Sequence, residues 1–334
     1  MGYFLLKKLY RTRWREKMLR VVFMGTPEFA LPSLEAVLRS GQKLIGVVTQ
    51  PDRPKGRGRL LTPPPVKVWA MERDIEVYQP EKVRNPEFVA ILEKMAPDVI
   101  VTAAFGQILS KQILDIPPLG CINVHASLLP KYRGASPIQQ ALIDGETSTG
   151  ITIMYMDEGM DTGDIILQKK IDIHPEERAD QLHDRLALLG GQALEEALRL
   201  FEGGKPAGRP QEHEKATYCK KIDKTMGNIN WTENGNQIKN LVRGLTPWPG
   251  AFTFYGQQRI KVWKIKEWEY SKAKDCVPGQ VAAADQQQGL IVACGHGFVR
   301  LSEIQAQGKK VMKDVDFIRG NPIPAGTVFS NKPE

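Results

Sequence analysis

Asn123 and His125 stand two residues apart at the end of the apolar run Cys121-Ile122-Asn123-Val124-His125. In a β-strand, residues i and i+2 point to one face, so this spacing projects an amide and an imidazole together. The amide suits polarising a carbonyl oxygen, and the imidazole suits moving a proton. The chain then turns sharply through Ala126-Ser127-Leu128-Leu129-Pro130-Lys131-Tyr132-Arg133-Gly134. Downstream, Asp157-Glu158-Gly159-Met160-Asp161-Thr162-Gly163-Asp164 supplies a glycine-punctuated carboxylate loop that could orient the imidazole. Two plainer readings compete with an active site. Asn123 and His125 could be a buried, hydrogen-bonded pair, and the carboxylates could hold a cation. The second reading lacks the D-x-D-x-D-G oxygen spacing of a calcium loop.

Positioning such a strand requires a sheet, and the first two hundred residues read as one. Strand-like runs Leu19–Met24, Leu44–Thr49, Ile75–Tyr78, Asp98–Ala103, Cys121–Val124, Gly150–Met156 and Ile165–Ile171 alternate with helical stretches. The helices are expected over Glu28–Arg39, Val66–Arg73, Pro86–Met95, Pro137–Asp144 and about Ala179–Phe201. The alternation predicts an α/β, Rossmann-like domain: a largely parallel sheet with helices on both faces. Ligands of such sheets sit outside the carboxyl ends of the strands, where Gly25-Thr26-Pro27 and His125 both fall. Gly25-Thr26-Pro27-Glu28-Phe29-Ala30 is not G-x-G-x-x-G, and no acidic residue follows a second strand to meet a ribose, which argues against a dinucleotide.

After the Gly/Pro-rich stretch Gly203–Pro210, read as a linker, the pattern changes to short alternating runs with glycine turns. They predict a C-terminal small β-barrel, OB-like. The expected organisation is a basic leader over 1–17, a catalytic domain over 18–206, a linker over 207–222 and the barrel over 223–334. Phe4-Leu5-Leu6 is too short for a secretory core, and Met18 reads as the natural start after a disordered upstream extension.

The chain's net charge of +8 is uneven: +5 over 1–17, −2 over 18–222 and +5 over 223–334. That pattern fits a polyanion gripped by the C-terminal part as well as it fits plain solubility. Arg53-Pro54-Lys55-Gly56-Arg57-Gly58-Arg59 reads as a mobile basic loop, able to mould to phosphates or simply to lie in solvent. Trp248 and Trp263 could stack on nucleotides, though packing in the barrel is the readier reading for each. His174, His183, His213 and His296 lack acidic or amide partners at useful spacing and read as structural. Cys121, Cys219, Cys276 and Cys294 form no C-x-x-C pair, so neither disulfides nor a structural zinc is expected. A soluble, cytoplasmic chain with no membrane span and no metal follows from these features.

Four motifs in order, Phe23–Ala30, Thr49-Gln50-Pro51-Asp52-Arg53-Pro54, Asn123–Pro137 and Asp157–Asp164, resemble the formyltetrahydrofolate-using formyltransferases, most closely the methionyl-tRNA formyltransferases. The resemblance runs from Met18 nearly to the C-terminus. It implies formyl transfer from 10-formyltetrahydrofolate to the α-amine of initiator Met-tRNA, without metal or covalent intermediate. It further implies that Asn123, His125 and Asp161 are catalytic. Asn123 and His125 would donate to a tetrahedral oxyanion, and Asp161, hydrogen-bonded to His125, would fix its tautomer or hold a water. Phe105, Gly106, Gln107, Ile108 and Leu109, with Ser127, Leu128, Leu129 and Pro130 and the loop from Asp157 to Asp161, would line the folate site. Arg53, Lys55, Arg57 and Arg59 would meet the tRNA acceptor end, the barrel would bind tRNA, and the enzyme is expected to be a monomer. Two alternatives share parts of this pattern: a formyltransferase acting on a small amine such as a sugar nucleotide, and an RNA-binding protein with a vestigial folate site.

Overall fold

The computed structural model describes residues 18–55, 58, 60–269 and 276–333. The expected leader over 1–17, Arg57 and Arg59 lie outside these, and only the backbone of Lys55 lies within them. The chain forms two compact units. One comprises the residues up to Gly134 with Ser148–Ile171 and His183–Tyr218; the other comprises Ala135–Thr147, Asp172–Leu182 and Cys219 onward.

The first unit is built on strands β1 (Arg20–Gly25), β2 (Lys43–Val48), β3 (Arg53–Lys55), β4 (Leu60–Thr62), β5 (Val77–Tyr78), β6 (Val99–Ala103), β7 (Cys121–His125), β8 (Arg133–Gly134), β9 (Ser148–Tyr155) and β10 (Ile165–Asp172). Seven of them form a sheet in the order β10-β9-β7-β6-β1-β2-β5. From β5 to β7 the neighbours are parallel, while β9 runs antiparallel to β7. Val21, Val22, Phe23 and Met24 are wholly buried, as are Val99, Ile100 and Val101. Continuous apolar runs of this kind suit strands covered on both faces. The chain moves outward from β1 to β2 and β5, then returns to β6 on the other side of β1. The switch point between β1 and β6 is where doubly wound sheets open a crevice. There Thr26 Oγ1 donates to Phe105 O (3.1 Å), as does Gln50 Nε2 (3.2 Å).

The expected helix over Glu28–Arg39 is a 3-10 turn, Glu28–Ala30, followed by an α-helix over Leu31–Arg39 with Pro32 in its first turn. Gly25 admits the close approach of the 3-10 turn: a Cβ there would lie 2.8 Å from Ala30 Cβ and 2.9 Å from Ala103 O. Within the basic segment read as a mobile loop, Arg53–Lys55 forms β3, paired antiparallel with β4 so that Arg53 faces Thr62 and Lys55 faces Leu60. The stretch expected as linker is packed: Arg209 and Ile165 exchange backbone hydrogen bonds at 2.8 Å, and Gln211 is buried.

The division between the units falls within β11 (Tyr218–Cys219), and the second unit holds strands β12 (Ala251–Tyr255), β13 (Gln258–Trp268), β14 (Val281–Asp285), β15 (Gly289–Ala293), β16 (Phe298–Ala306) and β17 (Met312–Lys313). The last six form an antiparallel sheet in the order β12-β13-β16-β15-β14 with β17 against β16, the small-barrel architecture expected. Ile260, Val262, Leu290, Val292, Val299, Leu301 and Ile304 alternate inward to make its core with Trp231, Phe317 and Phe329. The helix Gly235–Leu245 starts on a capping box, with Asn234 Oδ1 accepting from Gln237 N and Gln237 Oε1 accepting from Asn234 N. It packs on the helix Pro137–Ile143, and Gly244 permits that contact because a Cβ there would come within 2.7 Å of Ile143. A helix over Asp314–Gly320, not foreseen from the sequence, closes the unit.

Candidate active site

Parallel register sets Thr102 of β6 beside Asn123 of β7. Thr102 Oγ1 donates to Asn123 Oδ1 at 2.7 Å. An amide whose oxygen is engaged in this way presents its NH2 outward. No hydrogen bond within the described residues uses Asn123 Nδ2, so that donor remains for a ligand.

His125 is buried at the end of the same strand. Its Nε2 lies 2.9 Å from Tyr132 O. A carbonyl can only accept, so Nε2 carries the proton and the neutral ring keeps its lone pair on Nδ1. Nδ1 faces Asp161 Oδ1 at 3.7 Å, an ion-pair distance but longer than a hydrogen bond. This corrects the expectation that Asp161 bonds His125 directly and sets its tautomer; the Tyr132 carbonyl sets it. At that distance Asp161 does not occupy the Nδ1 lone pair, while its carboxylate stays close to the ring. Asp161 is held from its other side, where Gly134 N donates to Oδ2 at 2.8 Å. Tyr132 and Asp161 both have left-handed backbone, φ 61° and 54°, which costs a non-glycine residue about 1 kcal/mol or more. The loop after the antiparallel β9 first bonds Met156 N to Cys121 O (2.8 Å), then folds back so that Asp161 reaches His125.

The turn between His125 and Tyr132 is fastened by neutral groups. Thr152, opposite His125 on β9, donates from Oγ1 to Ser127 O at 2.7 Å and accepts from Leu129 N at 3.1 Å. Gln168 Nε2 donates to Leu129 O (2.9 Å), and Ser127 Oγ to Lys131 O (2.6 Å). Ser127 and Leu129 are therefore buried supports, whereas Leu128 and Pro130 keep accessible surface. The same division holds after β6. Phe105 and Leu109 are buried, and Gln107 spends its amide on Val83 N (2.7 Å) and Pro80 O (3.3 Å). Gly106 and Ile108 are exposed, Ile108 by 83%. Asp157 braces its own loop, accepting from Gly159 N and Thr162 Oγ1. An apolar, backbone-rich rim beside the amide and the imidazole suits a flat, hydrogen-bonding ring system.

Cys121 shares the strand face of Asn123 and His125, yet burial pushes its thiol up to about 12. It does not supply a thiolate near neutral pH. Among the described residues no cluster of three His, Cys, Asp or Glu side chains could hold a metal, and no helix is long and apolar enough to cross a membrane.

Outside the crevice, Arg53 is exposed on the hairpin with Leu60 and Leu61, and Asp52 at its base is pinned by Gln79 (2.7 Å) and Lys67 (2.8 Å). Those two hydrogen bonds hold the Asp52 carboxyl below its ordinary pKa. Trp248 is 56% exposed, so it does not pack in the barrel as expected; Trp263 is half-buried, its indole N–H on Gln305 Oε1. His213 Nδ1 accepts from Arg133 Nη2 at 3.1 Å, a partner invisible at their sequence spacing. Sequence reasoning also missed Thr102, the Tyr132 carbonyl and the Gly134 N–H.

The sequence matches the family description "formyl transferase" over residues 19–198 and "formyl transferase, C-terminal domain" over 221–322. It is 51% identical over 311 residues to the methionyl-tRNA formyltransferase of Syntrophus aciditrophicus, covering 92% of this chain and 98% of that one. To the protein of the same name from Acetivibrio thermocellus it is 49% identical over 311 residues, covering 93% and 99%. Among solved structures the fold resembles WlaRD, a sugar 3N-formyl transferase, with TM-score 0.62 and 19% identity over 88% of this chain and all of that one. It also resembles HypX from Aquifex aeolicus in complex with tetrahydrofolic acid, with TM-score 0.59 and 15% identity over 90% of this chain and 47% of that one. At these identities the two structures speak for the fold alone.

Proposed function

The chain belongs to the formyl transferase family, among the methionyl-tRNA formyltransferases, and from that premise we propose how its residues carry out the reaction. It transfers the formyl group of 10-formyltetrahydrofolate to the α-amine of methionine on initiator Met-tRNA. The folate supplies the formyl carbon, already bonded to a nitrogen that can leave. Asn123 Nδ2–H donates to the formyl oxygen as negative charge grows there; one such donor is worth about 3–4 kcal/mol of barrier. His125 Nδ1 takes the proton that the attacking amine gives up and returns it to the departing nitrogen. Asp161, 3.7 Å away, stabilises the imidazolium that exists between those two transfers. Tyr132 O keeps Nε2 occupied, so the working nitrogen is always the one facing the carboxylate.

Gly106, Ile108, Leu128 and Pro130 with the Asp157–Asp161 loop form the folate rim in this reading, while Phe105, Gln107, Leu109, Ser127 and Leu129 hold it from beneath. Arg53, Lys55, Arg57 and Arg59, and the barrel with its excess of positive charge, meet the tRNA. A monomer in the cytoplasm is the corresponding working form.

The observation that carries the mechanism is the pairing of an oriented amide with an imidazole whose free nitrogen faces a carboxylate. The experiment is to offer 10-formyltetrahydrofolate with Met-tRNA or with an amino-sugar nucleotide and to follow formylated product. Formyl-methionyl-tRNA is expected. Formylation of the sugar alone would overturn the assignment.

A further inference from the structure

Gln211 lies between the two matched family segments, in the stretch that composition marks as linker. It is nevertheless 5% exposed, and its amide is fully used. Oε1 accepts from Arg133 Nη2 at 2.7 Å and Nε at 3.2 Å. Nε2 donates to Asp161 O at 2.9 Å and to Gly163 O at 2.7 Å. The orientation is unambiguous, because guanidinium can only donate and carbonyls can only accept.

These bonds close a ring around the site. Three consecutive residues, 132–134, hold both reacting side chains: the Tyr132 carbonyl holds His125, the Gly134 N–H holds the Asp161 carboxylate, and the Arg133 side chain holds Gln211. Gln211 in turn holds the Asp161 backbone, the point where the chain is in the left-handed region at φ 54°. A strained residue of that kind keeps its conformation only when its surroundings over-determine it. The next glycine shares the constraint, since a Cβ at Gly163 would collide with Tyr155 O. Arg133 is buried and is gripped further by Tyr218 Oη (3.3 Å) and His213 Nδ1 (3.1 Å), so Gln211 is anchored on a fixed group.

We propose that Gln211 is a positioning residue for formyl transfer: it sets the distance between Asp161 and His125 Nδ1 by fixing the backbone of the Asp161 loop. The inference rests on the roles assigned above to His125 and Asp161. It makes part of the active site come from outside the segment that carries the family's catalytic motifs.

Gln211→Glu separates the two ends of the side chain. The carboxylate still accepts both Arg133 donors, now with charge assistance, but turns oxygen rather than N–H toward Asp161 O and Gly163 O. In formyl transfer to Met-tRNA this variant is expected to lose about 100-fold in kcat, the scale of an ~1 Å misplacement. KM for Met-tRNA should stay within about threefold, since none of the residues assigned to its binding is touched, whereas KM for the folate, whose rim includes the Asp157–Asp161 loop, is free to rise. Its Tm should stay close to the wild-type value, the charged pair with Arg133 offsetting the two lost bonds to carbonyls, and the kcat–pH profile should be displaced because the charge beside Nδ1 has moved. Gln211→Ala loses both ends, and should lose kcat as well as Tm. A Gln211→Glu enzyme with kcat within about threefold of wild type, or with a loss that follows a fall in Tm, overturns the inference. Asp161→Asn is the control for the underlying mechanism: full activity there would sink that reading whatever Gln211 does.

Discussion

Polar side chains are used in opposite ways by the proposed active site and the barrel. In the barrel, Asp314 is 1% exposed and completely satisfied: Arg300 reaches it through Nε (2.7 Å) and Nη2 (3.0 Å), and Leu290 N and Val315 N donate as well. Gly289 is needed beneath this cluster, where a Cβ would strike the Asp314 carboxylate. At the proposed site each of the three candidate side chains is tied at one atom, while another takes no hydrogen bond from the described residues. Asn123 is tied through Oδ1, His125 through Nε2 and Asp161 through Oδ2. Complete satisfaction makes a clamp, which serves folding. Half-satisfaction makes a tool, because the orientation is fixed before substrate arrives while the working atom stays free.

That contrast predicts different failures. His125→Ala removes the proposed proton carrier and should lower kcat at least ~100-fold with little change in folate affinity or Tm. A variant with near-normal kcat would remove the imidazole from the mechanism. Asp314→Ala should do the reverse, leaving the Arg300 guanidinium with an uncompensated charge and costing about 3–5 kcal/mol of stability in denaturant unfolding. Burial alone raises the Asp314 pKa, but the hydrogen bonds from Arg300, Leu290 N and Val315 N outweigh it and hold the carboxyl below its ordinary value. A folded-state pKa below the unfolded one stabilises above the unfolded value, about 3.9, and the stabilisation fades as pH falls through the folded value. Wild-type protein should thus lose barrel stability below about pH 4, and Asp314→Ala should show less of that acid dependence.

The sheet was legible in the sequence because its central strands are continuous apolar runs, and every strand expected before residue 172 is present within a few positions. Asn123 and His125 were legible for a related reason: strand periodicity is a local rule and needs no knowledge of the rest of the chain. Their supports were not. Thr102 is twenty-one residues from Asn123, and Gln211 is fifty from Asp161, with no pattern linking either pair. Tyr132 and Gly134 act through backbone atoms, which every residue has, so side-chain identity gives no signal. The hairpin at Arg53 was hidden because Pro and Lys are poor strand formers, and only pairing with Leu60–Thr62 gives Arg53–Lys55 extended structure. The helix Asp314–Gly320 was missed because it is two turns long, too short for periodicity to declare itself.

Thr102→Val tests how much of Asn123's value comes from being oriented. Valine keeps the shape and removes the hydroxyl, so the Asn123 amide loses the bond that distinguishes its two ends. One neutral hydrogen bond is worth about 1 kcal/mol, which sets the expected loss in kcat at about fivefold, with Tm little changed. A loss as large as that of His125→Ala would mean that Thr102 itself touches the reacting group. No loss would mean that the ligand alone orients the amide.

The smallest expected effect belongs to the hairpin. The hairpin cations contrast with both regions above, since Arg53 is exposed and Asp52 beside it is already committed to Lys67 and Gln79. A solvated cation that meets a phosphate releases a counterion and adds about one to the slope of log affinity against log salt. Arg53→Gln should therefore weaken Met-tRNA binding only modestly near physiological salt and flatten that slope by about one. Neutralising Arg53, Lys55, Arg57 and Arg59 together should flatten it by about three to four if each meets a phosphate, with kcat at saturating tRNA nearly preserved. A fall in kcat at unchanged slope would place the hairpin over the reacting groups rather than on the nucleic-acid backbone, and it would then belong with the half-satisfied side chains of the crevice.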